Sequence, residues 1–132
     1  MTIKRLWLIT GLALVATPVW ADPFDSGDLQ QWEAAYQSVV NDGRAAFTDA
    51  ELGNNGVVCA QCHPNGANTH PETSPKFQKQ LGKIAQLWER VNWCIRNPLE
   101  GKPLAADDPK MTGLLTYMAE ERRGEAMEPG KR

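Results

Sequence analysis

The sequence predicts an all-α domain of about three to five helices around one covalently attached prosthetic group. Three observations predict it. Apolar residues in the longer segments recur at helical spacing. Alternating, strand-like runs are scarce. Between the helical segments lies Cys59-Ala60-Gln61-Cys62-His63, two cysteines two residues apart followed at once by histidine, the attachment pattern of c-type haem.

The spacing has a chemical reason. Two thiols one helical turn apart can each add to one haem vinyl group, and the adjacent imidazole then stands under the iron as proximal ligand. A structural zinc site would need a second pair of ligands. The chain has only 3 cysteines and 2 histidines, so the remainder offers one of each. A thioredoxin-like dithiol would sit in a βαβ pattern, and none is visible. The expectation is a small cytochrome c-like fold with one haem c per chain, bound by Cys59, Cys62 and His63.

Residues 1–21 read as a secretory signal peptide. Lys4 and Arg5 form its basic start, Leu6 to Ala16 its apolar stretch, and Val19-Trp20-Ala21 its cleavage site. The apolar stretch is shorter than the roughly twenty residues a bilayer span needs, so cleavage after Ala21 is expected and the mature protein is not membrane-spanning. Export to the periplasm agrees with haem attachment, which in bacteria takes place outside the cytoplasm. Residues 22–132 then form one monohaem domain. Processing removes 2 of 14 basic residues, leaving 12 against 16 acidic ones, a charge of −4. No basic patch suited to phosphates is present, so no nucleic-acid partner is expected.

Along the mature chain, Ser26 is placed to N-cap a helix from about Asp28 to Asn41. Leu29, Trp32, Tyr36, Val39 and Val40 recur as one buried face, with Trp32 and Tyr36 expected in the core. Asn41-Asp42-Gly43 should end it, and Gly43 to Phe47 begins a short second piece. Gly53-Asn54-Asn55-Gly56 is a turn entering the haem motif. Pro64 to Pro75 reads as a loop in which His70 faces solvent; a segment so short would hardly carry that histidine to the opposite haem face. Ile84, Leu87, Trp88, Val91, Cys94 and Ile95 share one stripe of a helix from about Ile84 to Asn97, closed by Pro98. A loop with Gly101-Lys102-Pro103 precedes the last helix. Asp108 is its N-cap, Pro109 its first residue and Gly124 lies just past its end; Met111, Leu114, Leu115 and Met118 form its buried face.

The group that completes the iron's coordination decides the chemistry. Met111 or Met118 would give a His/Met pair, which raises the reduction potential. Cys94 as thiolate would push electron density onto the iron and lower it. His70 or an open position completes the set. Cys94 is also the odd cysteine of an exported protein, and an unpaired thiol there risks oxidation unless buried or employed.

The stretch from Gly43 to Gly130 resembles the cytochrome c domain of the SoxA and TsdA proteins, haem subunits of sulfur-oxidising and thiosulfate dehydrogenase systems. The resemblance rests on Cys59-Ala60-Gln61-Cys62-His63, on Trp88-Glu89-Arg90-Val91-Asn92-Trp93-Cys94-Ile95 and on Gly101-Lys102-Pro103-Leu104. Gly124, Met127, Pro129 and Gly130 are similar to that family's closing pattern. It implies that His63 and Cys94 are the axial pair, with thiosulfate chemistry beside the cysteine. Those enzymes commonly use a second haem domain or haem-bearing partner. Of the basic residues near Cys94 in sequence, only Arg90 falls on the same side of a helix; Arg96 does not.

The sequence thus supports, first, an exported electron carrier passing single electrons between redox partner proteins. The alternative is a haem subunit of a sulfur-compound oxidoreductase, with Cys94 as ligand or sulfur site and a second haem subunit as partner. A haem-based small-molecule sensor is the third reading.

Overall fold

The computed structural model describes residues 23–127; the expected signal peptide and the final residues Pro129 and Gly130 lie outside them. Among the described residues, four α-helices, three short 3-10 turns and one small hairpin make up the regular structure. In chain order the α-helices and strands are α1 (Ser26–Phe47), α2 (Cys59–Cys62), β1 (Lys76–Gln78), β2 (Lys83–Ala85), α3 (Leu87–Arg96) and α4 (Pro109–Glu121). The expected helical fold is present. Among the described residues no helix is long and apolar enough to cross a membrane.

The first helix departs from the sequence reading in three ways. Its N-cap is Asp25, not Ser26: the Asp25 carboxylate accepts from the Gly27 and Asp28 amides at 2.6 and 3.0 Å, and Asp28 accepts in return from the Asp25 amide at 3.1 Å. Two acids closing a reciprocal box outdo one serine hydroxyl. The helix also runs through Asn41-Asp42-Gly43 without a break. Glycine inside a helix costs about 1 kcal/mol relative to alanine, but here it permits contact with α4, since a methyl on Gly43 would overlap the Gly113 carbonyl. Burial gained at that crossing holds the helix intact.

Third, the expected apolar face is only half used. Val40, Ala46 and Phe47 are buried, whereas Leu29 and Trp32 are 56% and 60% exposed. Helix lengths account for this. At 1.5 Å per residue α1 spans about 33 Å and α4 about 20 Å. The two cross at Gly43 and Gly113, and Tyr36 already meets the end of α4, its hydroxyl donating to Glu120 at 3.0 Å. The turns of α1 before Tyr36 overhang the bundle.

The core lies between α1, α3 and α4, with Ile95, Leu99, Leu114, Tyr117 and Met118 buried beside Val40 and Phe47. Phe47 and Tyr117 meet edge-on with centroids 5.1 Å apart. The last helix is as the sequence reads: Asp108 accepts from the Lys110 amide at 2.8 Å, Pro109 opens the helix, and Gly124 turns the chain at φ +85°. The preceding helix is shorter than expected. Ile84 belongs to β2 and is 65% exposed, because Gly82 at φ +66° makes a turn that pairs Ile84 with Phe77.

Candidate haem site

Helix α2 is the single turn Cys59–Cys62, which puts the two thiols three residues apart on one face. Its start is closed by its own third residue: Gln61 Oε1 accepts from the Val58 amide at 3.2 Å. The His63 amide donates to the Cys59 carbonyl at 2.9 Å, so the histidine continues the turn. Beyond it Asn65 and Gly66 take φ of +50° and +69°, and the chain folds back. That reversal brings the Ala67 carbonyl to the His63 ring, where Nδ1–H donates to it at 2.8 Å. With the proton held on Nδ1, Nε2 keeps its lone pair for a metal, the arrangement that orients histidine ligands.

His63, Cys59, Leu87, Val91, Cys94, Leu114, Phe47 and Met118 line one pocket, open to solvent on one side. Its walls are mostly apolar. Two thiol-bearing helices and one histidine converge on it, and the donor set is nitrogen and soft sulfur. The residues present fit a haem.

Leu87, Val91 and Cys94 follow one another at helical spacing on α3, so the apolar stripe read from the sequence does carry Cys94 into the pocket. Burial pushes the Cys94 thiol above its ordinary value; the Arg90 guanidinium works against that, and Cys62 adds to it. Arg90 Nη1 donates to Cys94 Sγ at 3.1 Å. Burial, with the neighbouring Cys94, raises the Cys59 thiol to about 11. Free of metal, both sulfurs are therefore neutral near pH 7; a coordinating cation would remove the Cys94 proton outright.

The two methionine candidates separate. Met118 lines the pocket from α4, while Met111 is fully buried away from its lining. His70 departs from the sequence reading. It is 3% exposed, with Nδ1–H donating to Glu72 at 2.9 Å, and it does not line the pocket. The segment 64–75 is no open loop: two 3-10 turns, Pro64–Gly66 and Pro71–Thr73, coil it against α4. Thr73 Oγ1 donates to the His70 carbonyl at 2.8 Å and closes the second turn.

Asn92 is a supporting residue that the sequence reading left without a role. It is 2% exposed and embraces Leu104, its Nδ2 donating to the Leu104 carbonyl and its Oδ1 accepting from the Leu104 amide, both at 2.8 Å. A polar residue on the buried side of an amphipathic helix was the available signal. The same frame includes a close crossing of loops, where the Asn54 amide donates to the Leu99 carbonyl at 2.9 Å and a methyl on Gly53 would overlap that carbonyl.

A family model described as "SoxA/TsdA, cytochrome c domain" matches residues 42–127. Thiosulfate dehydrogenase of Stutzerimonas stutzeri (strain A1501) is 33% identical over 96 residues, 63% of this chain and 31% of that protein. Thiosulfate dehydrogenase of Psychrobacter arcticus is 32% identical over 73 residues, 49% of this chain and 22% of its own. That of Allochromatium vinosum is 30% identical over 77 residues, 49% and 28%. The chain thus spans less than a third of the length of these curated relatives. Among solved structures, SoxXA from P. pantotrophus superimposes with a TM-score of 0.63 at 21% identity, covering 74% of this chain and 37% of that one, a likeness of fold.

Proposed function

Since the chain belongs to the SoxA/TsdA cytochrome c domain family, which implies a c-type haem, we propose that it is an exported monohaem cytochrome handling single electrons, with His63 and Cys94 as the axial pair. The observation that carries this reading is the convergence of His63 and Cys94 on one apolar pocket, with Cys59 in its wall. Cys59 and Cys62 would form the thioethers. When bound, the haem supplies a one-electron iron couple at a potential set by its axial ligands.

The chain's own residues do the rest. The Ala67 carbonyl holds the His63 ring through Nδ1, which would leave Nε2 to take the iron. Leu87, Val91, Leu114 and Phe47 give the pocket apolar walls, which disfavour charge beside them. Arg90 places a positive charge on the Cys94 sulfur, supporting its ionised form. Met118 is the alternative sulfur from the opposite helix, and Met111 is assigned to the core.

The Arg90–Cys94 contact also favours a second reading. A cationic group held against a soft sulfur at a solvent-open pocket suits an anionic sulfur compound, and the relatives are thiosulfate dehydrogenases. In that case the domain is the haem subunit of a sulfur-compound oxidoreductase that hands electrons to a second haem-bearing partner.

We place the protein in the periplasm as residues 22–132, cut after Ala21. Intact mass of protein made with haem-ligation machinery tests this, since it should equal residues 22–132 plus one haem. Optical and spin-resonance spectra of the oxidised protein should show low-spin iron with a sulfur ligand. Cys94→Ala should abolish that signature while Met118→Leu leaves it. An unchanged Cys94→Ala spectrum would remove the thiolate. Turnover of thiosulfate with an electron acceptor, with and without a haem partner, separates the enzyme from the carrier.

A further inference from the structure

Five of the six most exposed large apolar side chains in the described residues fall into two patches. The first is on the overhanging start of α1. Phe24, Leu29 and Trp32 are 57%, 56% and 60% exposed, and the Phe24 ring rests on Trp32 with centroids 4.7 Å apart. The second is the hairpin, where Phe77 and Ile84 stand directly opposite each other at 62% and 65% exposure. Large aromatic and branched side chains left in water on ordered elements are ordinarily covered by something.

The charges around the patches are opposite. Residues 23–42 hold Asp25, Asp28, Glu33 and Asp42 and no lysine or arginine. Residues 76–84 hold Lys76, Lys79 and Lys83 and no acid; Lys83 also pairs with Glu89 on α3, which ties the hairpin to the body. The two apolar patches therefore sit on segments of opposite charge. Each is also pre-formed, one by the Asp25–Asp28 capping box and the other by strand pairing with Gln78 and Ala85 buried beneath. Little ordering remains to oppose a contact.

We propose that the protein associates with a second copy of itself, the Phe24–Leu29–Trp32 face of one copy seating on the Phe77–Ile84 ribbon of the next. The surfaces differ, so the contact is heterologous. Five anchoring side chains put it in the small, transient class of interfaces, and its acidic and basic rims make it weaken with salt. Neither patch lines the pocket of His63 and Cys94.

Sedimentation of the haem-loaded chain from about 10 µM to about 1 mM should show mass rising above the monomer. Raising salt from about 0.05 to about 0.5 M should weaken association several-fold. Two surface variants sharpen the test: Leu29→Gln with Trp32→Gln, and Phe77→Thr with Ile84→Thr. Each should keep the wild-type haem spectrum and associate at least ten-fold more weakly. Mixed together they should pair again, since each supplies the patch the other has lost. A monomer at every concentration, association untouched by either variant, or a mixture that does not pair would each overturn the proposal.

Discussion

Arg90 Nη1 stands 3.1 Å from Cys94 Sγ, one helical turn away, while the same guanidinium lies 4.6 Å over the Trp93 ring. The stacking holds the planar fork in place, so two contacts along α3 fix the charge beside the sulfur. Lysine would offer a point charge without the stacking geometry.

With Cys94 bound to iron, the arginine stabilises the reduced state more, because that state carries one more negative charge. A hydrogen bond to a charged partner is worth about 1.5–3 kcal/mol, and 1.4 kcal/mol corresponds to about 59 mV for one electron. Arg90→Gln should therefore lower the reduction potential by some tens of millivolts, and Arg90→Lys by less. Spectroelectrochemical titration reads both shifts. A potential that rises in Arg90→Gln would contradict the electrostatic assignment.

The crossing of α1 and α4 makes a prediction with an unusual sign. Gly→Ala inside a helix normally stabilises by about 1 kcal/mol. At Gly43 the added methyl would collide with the Gly113 carbonyl and crowd Tyr117, and overpacking of this kind costs about 1–3 kcal/mol or more. Gly43→Ala should thus be clearly destabilising in urea unfolding. Gly113→Ala should cost less, as its methyl would meet Gly43 backbone atoms at 3.0–3.1 Å.

These two places show what was legible in the sequence. Cys94, Arg90 and Val91 could be assigned to a common side because a helix of ten residues repeats every 3.6, and its buried face is continuous. The last helix was legible at both ends, since Asp108, Pro109 and Gly124 act locally. What could not be read depended on partners distant in the chain. Gly43 reads as a stop until the Gly113 backbone arrives against it. Trp32 reads as core until the length of α4 is known. His70 reads as exposed because nothing local announces that 64–75 coils against α4, and Ile84 fits either a helical stripe or a hairpin until Gly82 decides.

Asn92 links the site's helix to the following loop through two hydrogen bonds to Leu104. Alanine would remove both and strand two backbone groups, each costing about 1–3 kcal/mol if left unpaired. Asn92→Ala should lower stability by about 2–4 kcal/mol, with water re-solvating part of the half-buried Leu104 backbone. Limited proteolysis should detect faster cleavage within residues 100–106. An unchanged cleavage pattern would mean that the loop is held by other contacts.

Glu72 gives the pH dependence. Burial tends to raise its carboxyl, but the hydrogen bond from His70, its own backbone and the Arg122 charge together hold it below the ordinary carboxylate value. A carboxyl that is more acidic folded than unfolded contributes stability above the unfolded value, and that contribution disappears as pH falls through the folded one. Glu72→Gln removes the ionisation while keeping an acceptor for His70. The difference in Tm between wild type and Glu72→Gln should accordingly be largest at neutral pH, shrink below about pH 4.5, and vanish in stronger acid. Other carboxylates titrate in both proteins and cancel in the difference. A gap that stays constant from neutral to acid pH would show that the pair contributes through packing rather than charge.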